Sequence, residues 1–265
     1  KALISFVRYL NTTNTSQRQI KTIYSKINNF KAYCEIHRII KLLDINKELC
    51  NKFIFDGSKS KIRNKYNFGN EKKFTLIKKT TLIKEIGVLK RFFNYCIEME
   101  WLNSNPFKAI KVKNKLNFKP RFYFSDKQIR LILSKAGKYT DFCYFLVQTG
   151  LRPTDAFLLS SKHIFGRYLS IRMNKTGDYL NQIPLTNKVM QIIEPRLKNK
   201  GIIFPEIETL YQRKKCLRKI QSLFDPNYVR ENNINLHTFR HTYARNMLNK
   251  GVPKEVLQTF LGHRS

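Results

Sequence analysis

Five basic side chains in the C-terminal half of the sequence are of types that could stabilise a reacting phosphate. They are Arg152 in TGLRPTD, Lys175 in NKTG, His237 and Arg240 in HTFRH, and His263 in LGHRS. A guanidinium group binds two phosphate oxygens at once, and in a dry site it stabilises negative charge as it develops. Taken alone, each residue has an ordinary structural explanation. Together they predict a phosphoryl-transfer site built from fixed cations and titratable donors.

The spacing within HTFRH allows two interpretations. His237 and Arg240 are three residues apart, so on a helix both side chains project from one face. His237 and His241 are four residues apart, which is the spacing of a zinc-binding pair on a helix. The segment lacks the glutamate of HExxH, and Arg240 would place a cation beside the metal. We therefore expect no metal site here.

Helices are predicted to position most of these residues. Ser125 and Gln128 have the spacing of a capping box at the start of one helix. A second helical pattern, over 140–158, is interrupted at Gly150, and Arg152 follows directly after this break. Further helices are predicted over 187–197, 210–224, 238–249 and 254–261.

A hairpin is predicted to position the lysine. Residues 167–172 and 180–185 alternate in the manner of two short strands, and the turn chemistry of 174–178 joins them. Lys175 would then lie at the tip of the hairpin. The C-terminal part of the chain is thus expected to be mostly helical, with a small antiparallel β-sheet.

Amphipathic helices are also predicted for the N-terminal part. Apolar residues recur at three- and four-residue steps in the stretches 2–10, 15–36, 46–55 and 82–101. Packing alone explains these stripes, so we assign them no chemistry. Pro106 ends the last helix, because proline biases the preceding residue away from helical conformation. We predict an all-helical bundle over 1–112 and a second domain over 123–265.

The sequence carries a large excess of positive charge. It has 51 Lys and Arg against 18 Asp and Glu in 265 residues, a formal net charge of +33 at pH 7. Such an excess destabilises a compact protein through self-repulsion, so we expect a polyanion partner, and nucleic acid fits best. A solvated lysine-rich surface is the alternative. Hydrophobic residues make up 42%, enough for a core, which excludes a disordered basic tail.

Two basic segments are candidates for contacts with a phosphate backbone. The segment 57–79 fits a solvated loop and a phosphate-contacting surface equally well. The segment 113–122 is predicted to link the two domains and could follow a phosphate backbone. The candidate DNA-binding residues are Lys59, Lys61, Arg63, Lys65, Lys108, Lys111, Lys113, Lys115, Lys119 and Arg121.

The cysteines and the hydropathy pattern bear on the compartment. The five cysteines are odd in number and none form a pair at two-residue spacing, which argues against a disulfide framework and fits a reducing environment. No stretch approaches the ~18 consecutive apolar residues of a membrane span. We expect a cytoplasmic, nucleoid-associated protein with no membrane partner.

The motifs resemble those of one family. TGLRPTD, followed by HTFRHTYARNMLNKGVPKEVLQTFLGHRS, resembles the catalytic domain of the tyrosine recombinases, or phage integrases. The region ending in EWLNSNPF is similar to the family's core-binding domain. The resemblance implies a mainly α fold, with a SAM-like core-binding bundle before the catalytic domain. It also implies a site-specific recombinase or integrase of a mobile element, acting as a homotetramer on double-stranded DNA without ATP, metal or other cofactor.

The resemblance also implies a role for each basic residue. Arg152 and Arg240 would clamp the scissile phosphate, and Lys175 would protonate the leaving 5′ oxygen. His237 would give acid–base support to the nucleophile. His263 would donate a hydrogen bond to the phosphate.

Two further residues enter through the resemblance. Asp155 matches an acidic position expected to brace the site without touching the substrate. The family's nucleophile is a tyrosine that forms a 3′-phosphotyrosyl intermediate, and no residue of this sequence matches it. Tyr243 matches an aromatic position that packs in the core, so we expect the nucleophile to follow Ser265.

Two other functions remain as alternatives to the recombinase. One is a non-catalytic, sequence-specific DNA-binding protein on the same fold, and the other is a type IB topoisomerase-like enzyme.

Overall fold

The chain folds into two compact units. The computed structural model describes residues 1–58, 79–112, 120–173, 177, 179–198 and 201–262. The units are Lys1–Asn117 and Phe118–Ser265, and each has its own hydrophobic core. The predicted linker, 113–122, falls largely outside the described residues and stays a prediction. Among the helices in the described ranges, none combines the length and the apolar character that a membrane span requires.

The described part of the N-terminal unit is helical. Its helices are α1 (Ala2–Thr12), α2 (Gln17–Ile36), α3 (Lys47–Ser58) and α4 (Lys79–Glu98), with a 3₁₀ turn at Leu42–Asp44. A capping box starts α2, because the Ser16 side chain accepts a hydrogen bond from the Gln19 backbone N–H and the Gln19 side chain accepts one from the Ser16 backbone. The four predicted helices are confirmed, with ends that differ by a few residues.

Aromatic rings fill the core of this unit. Phe30 on α2 meets Phe53, Phe93 and Phe107 edge-on, with ring centroids 4.9, 6.0 and 5.2 Å away. Phe107 reaches this core because Asn105 folds the segment back: its side-chain oxygen accepts a hydrogen bond from the Phe107 N–H at 2.9 Å. The segment after α4 therefore ends that helix and also places Phe107 in the core of the N-terminal unit.

The C-terminal unit is mostly helical. Its helices are α5 (Asp126–Lys135), α6 (Thr140–Thr149), α7 (Pro153–Ala156), α8 (Asn187–Leu197), α9 (Leu210–Gln221), α10 (Pro226–Glu231), α11 (His237–Asn249) and α12 (Lys254–Phe260). The predicted helix 210–224 ends early, at Gln221. The separate α10 was not predicted; it begins where Asp225 caps the backbone N–H groups of Asn227 and Tyr228.

A small antiparallel sheet lies within the C-terminal unit. Its order is β1 (Ile164–Phe165), β2 (Tyr168–Arg172) and β3 (Tyr179–Pro184). The two predicted strands are confirmed as β2 and β3, and β1 is an addition. Residues 174–176 and 178, between β2 and β3, lie outside the described residues, so the position of Lys175 at a hairpin tip stays a prediction.

The core of the C-terminal unit is built around α6 and α11. Phe142 and Phe145 on α6 and Phe239 on α11 are almost completely buried. Thr242 fixes the start of the unit to α11, because its hydroxyl accepts a hydrogen bond from the Phe124 N–H at 2.9 Å and donates one to the Thr238 carbonyl at 2.9 Å. The packing of α6 against α11 positions the candidate site.

Candidate active site

Arg152 lies at the break between α6 and α7. The helix α6 ends at Gly150, which adopts the left-handed conformation with φ of +61° that glycine favours at helix ends. Pro153 then starts α7, where its missing N–H costs nothing. The Arg152 side chain is only 12% exposed. Its guanidinium donates to the Met173 Sδ at 2.9 Å and to the Gly262 carbonyl at 3.1 Å.

Arg240 lies in the first turns of α11 and is 6% exposed. It donates hydrogen bonds to the carbonyl oxygen of Gly150, at 2.9 Å, and to that of Leu261. Burial, and next the positive charge of Arg152, lower the pKa of Arg240 to about 10, while Asp155 opposes this shift. Arg240 therefore remains a cation at neutral pH, in a position where water solvates it poorly.

Backbone carbonyls hold both arginines. Leu261 and Gly262 directly follow α12, where helix carbonyls lack partners within the helix and the helix dipole is negative. Arg152 carries five N–H donors, so its contacts with Met173 and Gly262 leave it capacity to bind an anion. The arrangement fixes two cations in one place before any substrate arrives, which is the preorganisation that electrostatic catalysis requires.

Asp155 and His237 flank the arginines in different ways. Asp155 is 1% exposed, and its Oδ2 lies 3.9 Å from the Arg152 Nη1. His237 is the first residue of α11 and is exposed to solvent. Its backbone N–H donates to the Asn235 Oδ1 at 2.8 Å, which fixes the start of the helix. The structure thus offers a buried carboxylate behind the arginines and an accessible imidazole on the same helix as Arg240.

Several predicted residues fall outside the described part of the chain. Among the candidate active-site residues these are Lys175 and His263. Among the candidate DNA-binding residues, Lys108, Lys111 and Arg121 are described and are exposed. The others, outside the described residues, are Lys59, Lys61, Arg63, Lys65, Lys113, Lys115 and Lys119.

The contacts of the arginines include residues that sequence reasoning missed. Gly150, Leu261 and Gly262 contact the arginines through backbone carbonyls, which residue type does not reveal. Met173 directly follows a predicted strand, and nothing in the sequence marks it as a partner of Arg152. The glycines in TGLR and LGH were the available signal, because Gly150 and Gly262 both have positive φ. A Cβ at Gly150 would overlap the ring of Tyr243, so this position also needs glycine for space.

Comparison with solved structures defines the fold. A λ integrase fragment (residues 75–356), crystallised as a dimer on a COC′ core site, matches with a TM-score of 0.70 over 100% of this chain and 94% of that chain, at 18% identity. The Tn1549 transposon integrase (residues 82–397), in complex with circular intermediate DNA, matches with a TM-score of 0.66 over 100% of this chain and 92% of that chain, at 16% identity. The chain therefore has the fold of the core-binding and catalytic domains of these integrases.

Comparison of sequences gives the family. The profile of the phage integrase family matches residues 124–265, more than half of the chain. This protein belongs to the phage integrase family, the tyrosine recombinases.

Named relatives agree with this membership. Transposase B of transposon Tn554 from Staphylococcus aureus is 27% identical over 208 residues, which cover 68% of this chain and 32% of that protein. Tyrosine recombinase XerC of Lacticaseibacillus casei is 22% identical over 199 residues, covering 68% of this chain and 67% of that protein. The chain spans about a third of the length of the Tn554 transposases that it matches.

Proposed function

We propose that this chain is the DNA-binding and DNA-cleaving part of a site-specific recombinase or integrase of a mobile element. The observation that carries the proposal is the pair Arg152 and Arg240, two largely buried cations held by neighbouring backbone carbonyls within the unit matched by the family profile. Two such guanidinium groups suit a pentavalent phosphate, whose equatorial oxygens gain negative charge in the transition state.

The proposed reaction is a transesterification at one DNA phosphate. A tyrosine hydroxyl, expected beyond Ser265, attacks the phosphorus and forms a 3′-phosphotyrosyl bond while the bond to the 5′ oxygen breaks. Lys175 protonates the leaving 5′ oxygen, and His237 accepts the proton of the attacking hydroxyl. His263 donates a hydrogen bond to the phosphate. The phosphotyrosyl link conserves the bond energy, so rejoining to a partner strand needs no ATP.

The cationic side chains take over the work that a metal ion does in other phosphoryl-transfer sites. Arg152 and Arg240 neutralise the phosphate and stabilise the transition state. Asp155 acts as a positioning residue: its buried carboxylate lies 3.9 Å from the Arg152 Nη1 and orients that guanidinium without touching DNA. The proposal therefore requires no metal and no cofactor.

The proposed partners are double-stranded DNA and further copies of the chain. The net charge of +33 supports a polyanionic substrate. One solved λ integrase structure is a tetramer bound to a Holliday junction, and we extend that assembly to this chain. Relatives named as transposases of Tn554 support a mobile element, and the relative named tyrosine recombinase XerC supports recombination. Work on DNA would place the protein in the cytoplasm, in association with the nucleoid.

Covalent trapping tests the proposal. The natural full-length gene product is incubated with a nicked suicide duplex that carries its attachment site, and products are separated on a denaturing gel and mapped. We expect a protein–DNA adduct on a tyrosine that follows Ser265. Arg152→Ala and Arg240→Ala should each reduce adduct formation about 10²–10³-fold. Arg167→Gln, an exposed arginine in the turn between β1 and β2, is the control and should have no effect.

The alternatives give different outcomes in the same experiment. Specific binding without an adduct would contradict catalysis and leave a sequence-specific DNA-binding protein. Relaxation of supercoiled plasmids that lack an attachment site, by a monomer, would indicate a type IB topoisomerase-like enzyme. Binding alone cannot separate these classes, because all of them lose DNA affinity steeply with salt.

A further inference from the structure

A cleft of about 280 Å³ lies at the start of α11 in the C-terminal unit, where Thr238 and His241 line it. Three parts of the unit form it: the segment that leads into α5, the turn after α10, and the first two turns of α11. Its lining includes Arg121, Asn233, Asn235 and His241. The lining is rich in hydrogen-bond donors, and none of these four residues is used by the reaction proposed above.

Basic side chains extend from this cleft along one face of α11. His237, His241 and Arg245 follow one another at four-residue steps, so they lie on neighbouring turns of the same face. Arg245 is exposed, and its guanidinium lies over the ring of Tyr123, 5.5 Å from the centroid. Arg121 approaches the same face from the neighbouring segment. We call Arg121, His241 and Arg245 the basic strip.

We propose that the basic strip binds non-scissile phosphates of the DNA strand whose scissile phosphate lies at Arg152 and Arg240. This inference rests on the proposed function and adds a second phosphate-binding surface to it. The strip begins one helical turn from His237. On α11 it extends about 6 Å, from His241 to Arg245 at about 1.5 Å per residue. One DNA strand carries a phosphate about every 3.4 Å of helix axis, so the strip is long enough to reach more than one phosphate.

The electrostatics of His241 support an anionic occupant. Burial lowers the pKa of this imidazole, and the positive charges of Arg121, His237 and Arg240 lower it further. Glu231, at the end of α10, also lines the cleft and is the opposing acidic group there. A phosphate placed between Arg121 and His241 would offset this repulsion, so the strip gains more from a bound anion than an isolated surface arginine does.

Shape argues for a DNA backbone over a small free anion. Arg121 and Arg245 are both exposed, and the strip continues from the cleft onto an open surface. A linear polyanion can contact such a strip along its length, whereas a free phosphate ion would contact only one part of it. Side-chain amides of Asn233 and Asn235 add neutral donors of the kind that position a phosphate backbone.

Salt dependence of DNA binding gives the first test. Arg121→Gln and Arg245→Gln each remove one cation, and Arg167→Gln removes one cation elsewhere on the unit. For each strip variant, the slope of log K against log salt concentration should become less steep by about 0.9 per lost phosphate contact. Arg121→Lys keeps the charge and should keep the slope. If Arg167→Gln reduces the slope equally, the effect is only general charge and the inference is wrong.

Neutral backbone linkages give the second test. A series of duplexes each carries one methylphosphonate near the cleavage site, and each is bound to the wild type and to the Arg121→Gln/Arg245→Gln variant. We expect one or two positions at which the neutral linkage weakens binding by the wild type several-fold but has little effect on the variant. If the neutral linkage weakens binding by the same factor in the wild type and in the variant at every position, the inference is wrong.

The two proposals can fail separately. In one outcome, a neutral linkage weakens binding by the wild type but has little effect on the strip variant, and no adduct forms in the trapping experiment. The phosphate-binding surface then stands and the catalytic proposal fails. In the other outcome, the adduct forms but no linkage distinguishes the wild type from the variant, so the catalytic proposal stands and the inference about the strip is wrong.

Discussion

Arg240 combines two properties that only arginine supplies at a buried position. Its pKa is lowered to about 10 by burial and by Arg152, and it still carries its charge at neutral pH. A lysine there would start from an ordinary pKa of about 10.4, and the same surroundings would lower it toward neutrality. It would also lack the planar fork that reaches two carbonyls and a phosphate.

We therefore predict that Arg240→Lys is nearly as harmful as Arg240→Ala. Adduct formation should fall about 10²-fold or more at pH 8, and the ratio to wild type should improve as pH is lowered, because a depressed ammonium pKa restores the charge only at lower pH. Trapping assays of both proteins from pH 6 to pH 8.5 measure this ratio. A ratio that stays constant with pH would contradict the argument.

The proposed role of Lys175 gives a prediction that separates proton donation from binding. Lys175→Ala should reduce cleavage of an ordinary strand about 10²–10⁴-fold. A strand with sulfur in place of the bridging 5′ oxygen leaves as a thiolate, which needs no proton, so cleavage by the variant should return. Arg152→Ala serves as the control and should not be rescued. Failure of the sulfur strand to rescue Lys175→Ala would show that this lysine is not the acid.

At the scale of single residues, side-chain chemistry could be predicted and backbone chemistry could not. Residue type and spacing single out Arg152, His237 and Arg240 as a set, whereas Asp155 enters only through the family resemblance. The carbonyls that hold the arginines belong to Gly150, Leu261 and Gly262, and every residue has a carbonyl. Which of them points at a guanidinium depends on how α6, α11 and α12 pack.

At the scale of elements, the break between α6 and α7 is the feature on which the site depends. Gly150 ends α6 and offers its carbonyl to Arg240, and a Cβ at this position would overlap the ring of Tyr243. Gly137 offers a matched comparison: it has the same φ of +61°, and a Cβ there would meet nothing within 4 Å.

We predict that Gly150→Ala costs much more stability than Gly137→Ala. The left-handed conformation alone costs an alanine roughly 1–2 kcal/mol, which both variants lose. Overlap with Tyr243 should add about 1–3 kcal/mol at Gly150. Urea denaturation of the two variants and the wild type measures the difference. Equal losses would show that the Tyr243 ring moves aside at no cost.

The elements that sequence reasoning missed are short and depend on local hydrogen bonds. Strand β1 has two residues, too few for an alternating pattern to register. Helix α10 has six residues and begins at an Asp-Pro pair, a sequence that equally suits a turn. Long helices such as α2 and α4 were predictable because their apolar faces repeat over five turns or more.

At the scale of the whole molecule, the sequence predicts two domains and has a large positive net charge. The structure has two compact units, each with its own hydrophobic core. The charge of +33 is a cost to the free protein, because like charges repel in the compact state. The protein is therefore expected to be more stable with its substrate than without it.

This cost predicts a large stabilisation by DNA. A short duplex at 100 times its Kd should raise the free energy of unfolding by about 2.7 kcal/mol, which corresponds to roughly 5–10 °C in the melting temperature of the unit that binds. Raising the salt concentration from 50 to 200 mM should remove most of this shift, because the affinity falls steeply as counterion release becomes less favourable. Thermal melts with duplex, and with dextran at equal mass as the uncharged control, measure the effect. A shift that dextran reproduces, or that survives 200 mM salt undiminished, would mean that excluded volume or apolar contact, and not the excess of positive charge, stabilises the protein.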